Sequence, residues 1–256
     1  MVITSGDVDI RARDGSSIRA FVAAPVASGR YPGIIFYSDI FQLTGTMLRS
    51  CARLAGHGFV VAAPEIYRRI EPPGEAFAFD DAGRERGLKD AERTTVAEFD
   101  SDCRAVLDYL QAHPAVAQGA VGAAGFCIGG HLAFRAALQN DVRATVCFYG
   151  TGIHNGKLGA DLDAGSLQRA SEIDGELMLI WGTLDPHIPL EGREKIAAAL
   201  RKASVKFVER HYDSEHAFMR DEGPRYDAEA TDGAFREMVE FLNRVMTKGS
   251  QNRLRF

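Results

Sequence analysis

Between residues 120 and 139 the sequence reads AVGAAGFCIGGHLAFRAALQ, passing from an apolar strand pattern to a helical one within two residues, with Gly125 and Gly129 on either side of Cys127. A turn that tight brings strand and helix so close that the positions two before and two after its central residue must be small. The central side chain then projects at the carboxyl edge of a sheet, above a helix N-terminus whose dipole favours negative charge. This is the geometry of a nucleophile elbow, and here the nucleophile is a thiol. Taken alone, the segment also suits a packing turn or a phosphate-binding turn, and cysteine is most often a core residue. The residues that partner it decide between these readings.

An elbow nucleophile needs an imidazole to manage its proton and a carboxylate to orient the imidazole, in the chain order nucleophile, acid, histidine. After the apolar run LMLIW comes GTLDP, which places Asp185 just beyond a strand end; after VKFVER comes YDSEHAF, which places His216 on the loop before the last helical pattern. Singly, Asp185 reads equally as a helix cap and His216 as a solvated loop residue. Together with Cys127 they supply three required groups in the required order, each at the carboxyl end of its own strand. The remaining histidines, at 57, 113, 131, 154, 187 and 211, fit less well. A metal site built from His187, His211, His216 and Asp185 matches no zinc spacing, and no HExxH is present, so neither metal nor cofactor is expected.

The rest of the chain agrees with an α/β sheet. Two alternating segments, 8–12 and 18–23, flank Asp14-Gly15 and predict an opening hairpin. Strands follow near 33–37, 59–63, 120–126, 144–149, 177–181 and 205–210. Amphipathic stripes run through Met47 to Ala55, Val96 to Leu110, 129–139, 190–202 and 228–246. Short apolar strands alternating with such helices imply a mainly parallel sheet covered on both faces, with ligands at the carboxyl ends of the strands. Two excursions, 65–90 and 151–174, break the rhythm and are expected to form lids or binding loops, with or without short helices. No repeat or composition shift marks a linker, so residues 1–247 read as one domain and 248–256 as a polar tail.

Composition narrows the function. The 256 residues are 46% hydrophobic and 25% charged, with 30 basic and 35 acidic side chains giving a formal charge of −5 and no long block of either sign, which argues against nucleic acid. The four cysteines, 51, 103, 127 and 147, show no CxxC pair; Cys51, Cys103 and Cys147 fall on apolar stripes or strands and read as core. MVITSGDVDI lacks the basic and apolar regions of a signal peptide, and no stretch approaches a membrane span, so the expected setting is cytoplasmic and the expected partner a small molecule.

GFCIGGHLAF is similar to the nucleophile segment of the dienelactone hydrolase family of α/β-hydrolases, whose hallmark is cysteine in place of serine. The similarity extends from about Gly33 through the final helix and includes FYSDIFQL, GFVVAAPEIY, GRERGLKD, WGTLDPHIP and EHAFMR. The resemblance implies an α/β-hydrolase fold, with Cys127 as nucleophile, His216 as base and Asp185 as its orienter. It implies an oxyanion hole from the backbone N–H groups of Ile128 and Ile40. At the place of Asp39 the family has a glutamate that pairs with the resting thiol and is redirected by substrate; the shorter aspartate equally suits bonding to its own loop. Two arginines hold the substrate carboxylate in family members acting on dienelactone, and the matching positions are Arg84 and Arg220, whose planar guanidinium groups suit that task. Leu88 stands where the family has a tyrosine near substrate, and the 151–174 excursion is longer than in compact members, so the pocket is expected to differ. The activity implied is hydrolysis of dienelactone or a related carboxylate-bearing lactone, opened to an acid such as maleylacetate in aromatic degradation. The alternatives are a broader carboxylesterase or thioesterase that also takes activated phosphate esters, and a thiol sensor on the same fold.

Overall fold

The computed structural model describes residues 1–251. Strands β1 (Ile3–Arg11) and β2 (Ser17–Pro25) form the expected antiparallel hairpin, its turn closed over residues 12–16 with Gly15 at φ 85°. Then follow β3 (Tyr31–Tyr37), α1 (Gly45–Gly56), β4 (Val60–Pro64), α2 (Asp81–Ala91), α3 (Val96–Ala112) and β5 (Val116–Phe126). The chain continues through α4 (Ile128–Ala136), β6 (Val142–Phe148), β7 (Glu176–Gly182), α5 (Leu190–Lys202), β8 (Lys206–Tyr212) and α6 (Ala228–Gln251).

The eight strands form one sheet in the order β1-β2-β4-β3-β5-β6-β7-β8, parallel from β4 to β8 and antiparallel where β2 meets β1 and β4. Helices cover both faces: α1 and α6 meet on one, where Arg53 lies over the Phe235 ring at 4.1 Å, while α3 and α4 pack together on the other. Strands buried on both sides need apolar residues throughout, which is why β4 reads VVAAP with every residue buried. Among the described residues no helix is long and apolar enough to cross a membrane.

Local signals explain the helix bounds. Thr95 and Glu98 form a reciprocal capping box at the start of α3: Glu98 N–H donates to Thr95 Oγ1 at 3.3 Å and Thr95 N–H to Glu98 Oε2 at 2.7 Å. His113-Pro114 ends that helix. The first excursion contains α2, capped by Asp80, which accepts from Gly83 N–H at 2.8 Å. The second is a series of turns with a single 3-10 turn at Ala170–Glu172. Helix α6 continues through Gln251, so the polar stretch from 248 begins in helix, and residues 252–256 lie outside the described residues.

The topology places the site. From β3 the chain moves to β4 on one side; from β5 it moves to β6 on the other. Adjacent strands whose outgoing connections diverge leave a crevice at their carboxyl ends. Since Tyr37 pairs with Gly125, β3 and β5 end level, and the loop carrying Asp39 and Ile40 stands beside Cys127.

Candidate active site

Cys127 sits between β5 and α4 at φ 58°, ψ −120°, outside the regions an L-residue ordinarily occupies. Such strain costs on the order of 1–3 kcal/mol and persists only where the surroundings enforce it. Here Cys127 N–H donates to the Phe148 carbonyl at 3.1 Å, and the Cys127 carbonyl accepts from Gly130 N–H at 2.9 Å and Thr151 N–H at 3.2 Å. The flanking glycines are sterically required. A methyl group on Gly125 would overlap the Gly129 carbonyl, and one on Gly129 would lie 2.6 Å from the Tyr37 carbonyl oxygen. Cys127 is 9% exposed, with Sγ 4.0 Å from Thr151 Oγ1. Cys51, Cys103 and Cys147 are buried as expected, and burial pushes all three thiols up.

Asp185 leaves the end of β7 and His216 the loop after β8, and the fold joins them. His216 Nδ1–H donates to Asp185 Oδ2 at 2.6 Å, while Asp185 Oδ1 accepts from His187 N–H at 2.8 Å. With Nδ1 committed to a carboxylate, Nε2 is the nitrogen left for proton exchange. Burial alone would push His216 down. The negative charge of the Cys127 sulfur and the bond to Asp185 outweigh it and push His216 up to about 9. Two rings pack edge-on against His216: Tyr149 at 5.1 Å, itself at φ 38°, and His187 at 4.7 Å. His211 remains exposed on β8, and among the described residues no group of three or more His, Cys, Asp or Glu is arranged to hold a metal.

Ile128 opens α4, and Ile40 lies in the loop after β3; among the described residues neither N–H donates a hydrogen bond to another protein group. Two backbone donors, one in the loop after β3 and one at the start of α4, are thus left without a protein acceptor among the described residues. Asp39 uses its carboxylate elsewhere. Oδ1 accepts from Phe41 N–H at 2.9 Å, and Oδ2 accepts from Arg220 Nε at 3.2 Å and from its terminal nitrogen at 2.6 Å. The Arg220 guanidinium lies 4.6 and 4.7 Å from the ring centroids of Phe41 and Phe79, which meet edge to face 5.0 Å apart. Arg84 differs: it is exposed on α2, without a salt bridge among the described residues, and its charge reaches His187.

Tyr149 and Thr151 adjoin the triad without having been singled out from sequence, and His187, weighed there only as a metal ligand, packs against His216. Tyr149 and Thr151 follow the β6 strand end, and His187 lies two residues after Asp185, so proximity to a strand end was the available signal.

The model of the dienelactone hydrolase family matches residues 18–246. A Saccharomyces cerevisiae protein described as a candidate carboxymethylenebutenolidase is 36% identical over 256 residues, covering 96% of this chain and 93% of that protein. The carboxymethylenebutenolidase of Pseudomonas sp. strain P51 is 29% identical, covering 97% and 99%. Among solved structures, a candidate dienelactone hydrolase from Klebsiella pneumoniae superposes with a TM-score of 0.79 at 24% identity, covering 95% of this chain and all of that one. A dienelactone hydrolase-like promiscuous phosphotriesterase from metagenomic libraries superposes at 0.78 and 21% identity, covering 96% and 99%. These two share the fold. The extent of the family match and the identity to the yeast relative go further: this chain, an α/β-hydrolase in architecture, belongs to the dienelactone hydrolase family.

Proposed function

We propose that the protein hydrolyses a small carboxylate-bearing ester or lactone, of which dienelactone is the type, by a Cys127–His216–Asp185 triad. The observation that carries this reading is the convergence of a strained cysteine, a carboxylate-bound histidine and two undonated amides at one crevice. The Cys127 thiolate attacks the carbonyl carbon, and the oxygen's developing charge is taken up by the Ile40 and Ile128 N–H groups. His216, protonated at Nε2 and held by Asp185, gives its proton to the departing alkoxide as the C–O bond breaks. The thioacyl intermediate is then attacked by water, whose proton returns to His216, and collapse releases the acid and the thiolate.

Arg84 is the guanidinium available for the substrate's carboxylate. A carboxylate reaching Arg220 must take the place of Asp39, so the two arginines recognise substrate on different terms. A second reading is a broader carboxylesterase or thioesterase that also accepts activated phosphate esters. It draws on Leu88, 44% exposed beside Arg84, which makes the rim partly apolar.

The test compares a dienelactone bearing a carboxylate with a neutral aryl acetate on wild type, Cys127→Ala and Arg84→Ala. Cys127→Ala is expected to abolish turnover of both, and Arg84→Ala to raise KM for the dienelactone alone, by about 10-fold for loss of a charge-assisted contact. Aryl acetate turnover that needs Cys127, with dienelactone untouched by wild type, would favour the second reading. Activity surviving Cys127→Ala would remove the thiol mechanism.

A further inference from the structure

Helix α2 carries two buried glycines four residues apart, Gly83 and Gly87, on one face. Glycine is the least helix-favouring residue apart from proline, so its presence twice in the body of an eleven-residue helix calls for a packing reason. Both positions supply one. A methyl group on Gly83 would overlap the carbonyl oxygen of Ala78, in the segment leading into the helix itself. A methyl group on Gly87 would overlap the carbonyl oxygen of Ile40 and lie 3.1 Å from both its carbonyl carbon and its Cβ. Helix α2 therefore lies flush against Ile40.

The side chain of Ile40 packs against the core, but among the described residues no hydrogen bond fixes its peptide. Its neighbours are tied within the loop, Phe41 N–H to Asp39 Oδ1 and Gln42 N–H to the Asp39 carbonyl, but neither the N–H nor the C=O of Ile40 is hydrogen-bonded among the described residues. With hydrogen bonding absent, packing sets where the peptide stands, and α2 is what meets its carbonyl. The helix in turn is held down by Arg86, which pairs with Glu71 and Glu75 and lies 4.7 Å over the Phe77 ring.

We propose that Gly87 is a positioning residue for the oxyanion hole: the bare backbone of α2 at Gly87 seats the Ile40 peptide so that its N–H meets the developing oxyanion. The inference rests on the reading of Ile40 as an oxyanion donor. An oxyanion donor acts over a narrow range of about 2.7–3.1 Å, and displacements of about 1 Å cost up to about 100-fold in rate. Gly87→Ala forces either α2 or Ile40 to move.

The neutral aryl acetate is the substrate of choice, because it makes no use of Arg84 on the same helix. For Gly87→Ala we expect kcat to fall about 10-fold or more with KM within about 2-fold, since the donor acts in the transition state. Alkylation of Cys127 by iodoacetamide, which forms no oxyanion, is expected to keep its wild-type rate. Gly83→Ala, which meets Ala78 and not Ile40, is the matched control and is expected to keep kcat within about 3-fold. A folded Gly87→Ala with wild-type kcat, or a loss equal to that of Gly83→Ala, overturns the proposal. Should Gly87→Ala not fold, Arg86→Ala decides: releasing the helix from outside is expected to lower kcat while sparing alkylation, and an unchanged kcat overturns the proposal. Cys127→Ala separates this inference from the reading beneath it. If that variant is inactive while Gly87→Ala matches wild type, only the positioning role fails; if it is active, the thiol mechanism fails.

Discussion

Asp39 and Arg220 show how much a side chain's role depends on what it meets across the fold. Both were marked as candidate site residues by the family resemblance, one after the third strand and one after the candidate base. Their ion pair, spanning 181 residues of sequence, was not, because no local pattern records which distant charge a carboxylate will meet. The pair is largely withdrawn from water, with side-chain exposures of 9% for Arg220 and 14% for Asp39. Removing one member of such a pair strands the other charge, at a cost of about 3–5 kcal/mol, whereas removing both is close to neutral. For Asp39→Ala the flanking aromatic rings still attract the guanidinium, so the expected loss is at the lower end, about 3 kcal/mol. Arg220→Met is expected to cost a similar amount, and Asp39→Ala/Arg220→Met clearly less than the sum. Urea unfolding of the four proteins measures this; single losses below about 1 kcal/mol would show that the pair is screened like a surface contact. One consequence is practical: activity lost in an Arg220 variant reports on the Asp39 loop as well as on substrate, which is why Arg84 is the cleaner probe.

At the scale of elements, what could be read was what repeats locally. The elbow stood out because its glycines meet a requirement set within five residues, and strands and amphipathic helices stood out by period. Helix α2 did not: of its eleven residues DAGRERGLKDA only Leu88 is a large apolar side chain, and its buried face is made of Gly83, Gly87, Asp90 and Ala91. A helix that docks through glycine leaves no hydrophobic stripe to detect. Its cap, Asp80, accepting from Gly83 N–H, emerges only in the structure. Close approach of backbones is also what joins α4 to the end of β3, and Gly129 is the test of that seam. In Gly129→Ala the new methyl would lie 2.6 Å from the Tyr37 carbonyl oxygen, and backbone cannot rotate away as a side chain can. Overpacking of this kind costs about 1–3 kcal/mol, and the shift of Cys127 that relieves it is expected to lower aryl acetate turnover by about 100-fold. Gly6→Ala, where a methyl meets nothing within 4 Å, is the comparison and is expected to leave melting temperature and turnover unchanged. A Gly129→Ala protein equal to wild type in both would show that the seam is loose.

For the molecule as a whole, the question is what ties the second excursion to the α/β body, since sequence gave only its length. The tie is polar and buried. His131, in the first turn of α4 and fully inaccessible, donates from Nδ1 to the Thr151 carbonyl at 3.0 Å and accepts at Nε2 from Ser166 Oγ at 2.8 Å. Arg135, one turn later, donates to the Ala164 carbonyl at 2.6 Å and to Ser166 Oγ at 3.0 Å, and pairs with Asp100 through two bonds. The carbonyl at Thr151 can only accept, which places a ring proton on Nδ1. Burial, reinforced by the Arg135 charge, pushes His131 from the ordinary 6.5 to about 3. The sign follows from proton counting: below pH 6.5 the unfolded chain binds a proton that the folded protein refuses until about pH 3, so stability falls as pH falls through that window. The slope approaches about 1.4 kcal/mol per pH unit for one proton. His131→Asn keeps a short polar side chain and removes the titration. Unfolding free energies of wild type and His131→Asn at pH 7, 6, 5 and 4 are expected to converge as pH falls, wild type losing about one proton's worth of slope more than the variant. Parallel curves would mean that His131 titrates alike in both states. The result bears on catalysis as well, because Thr151 donates its N–H to the Cys127 carbonyl at 3.2 Å. Because the folded protein keeps His131 neutral down to about pH 3, with Nδ1–H on the Thr151 carbonyl, the pH profile of thiol alkylation over the same series is expected to have the same shape in wild type and variant, and a deviation confined to wild type would show that His131 takes up a proton in the folded protein.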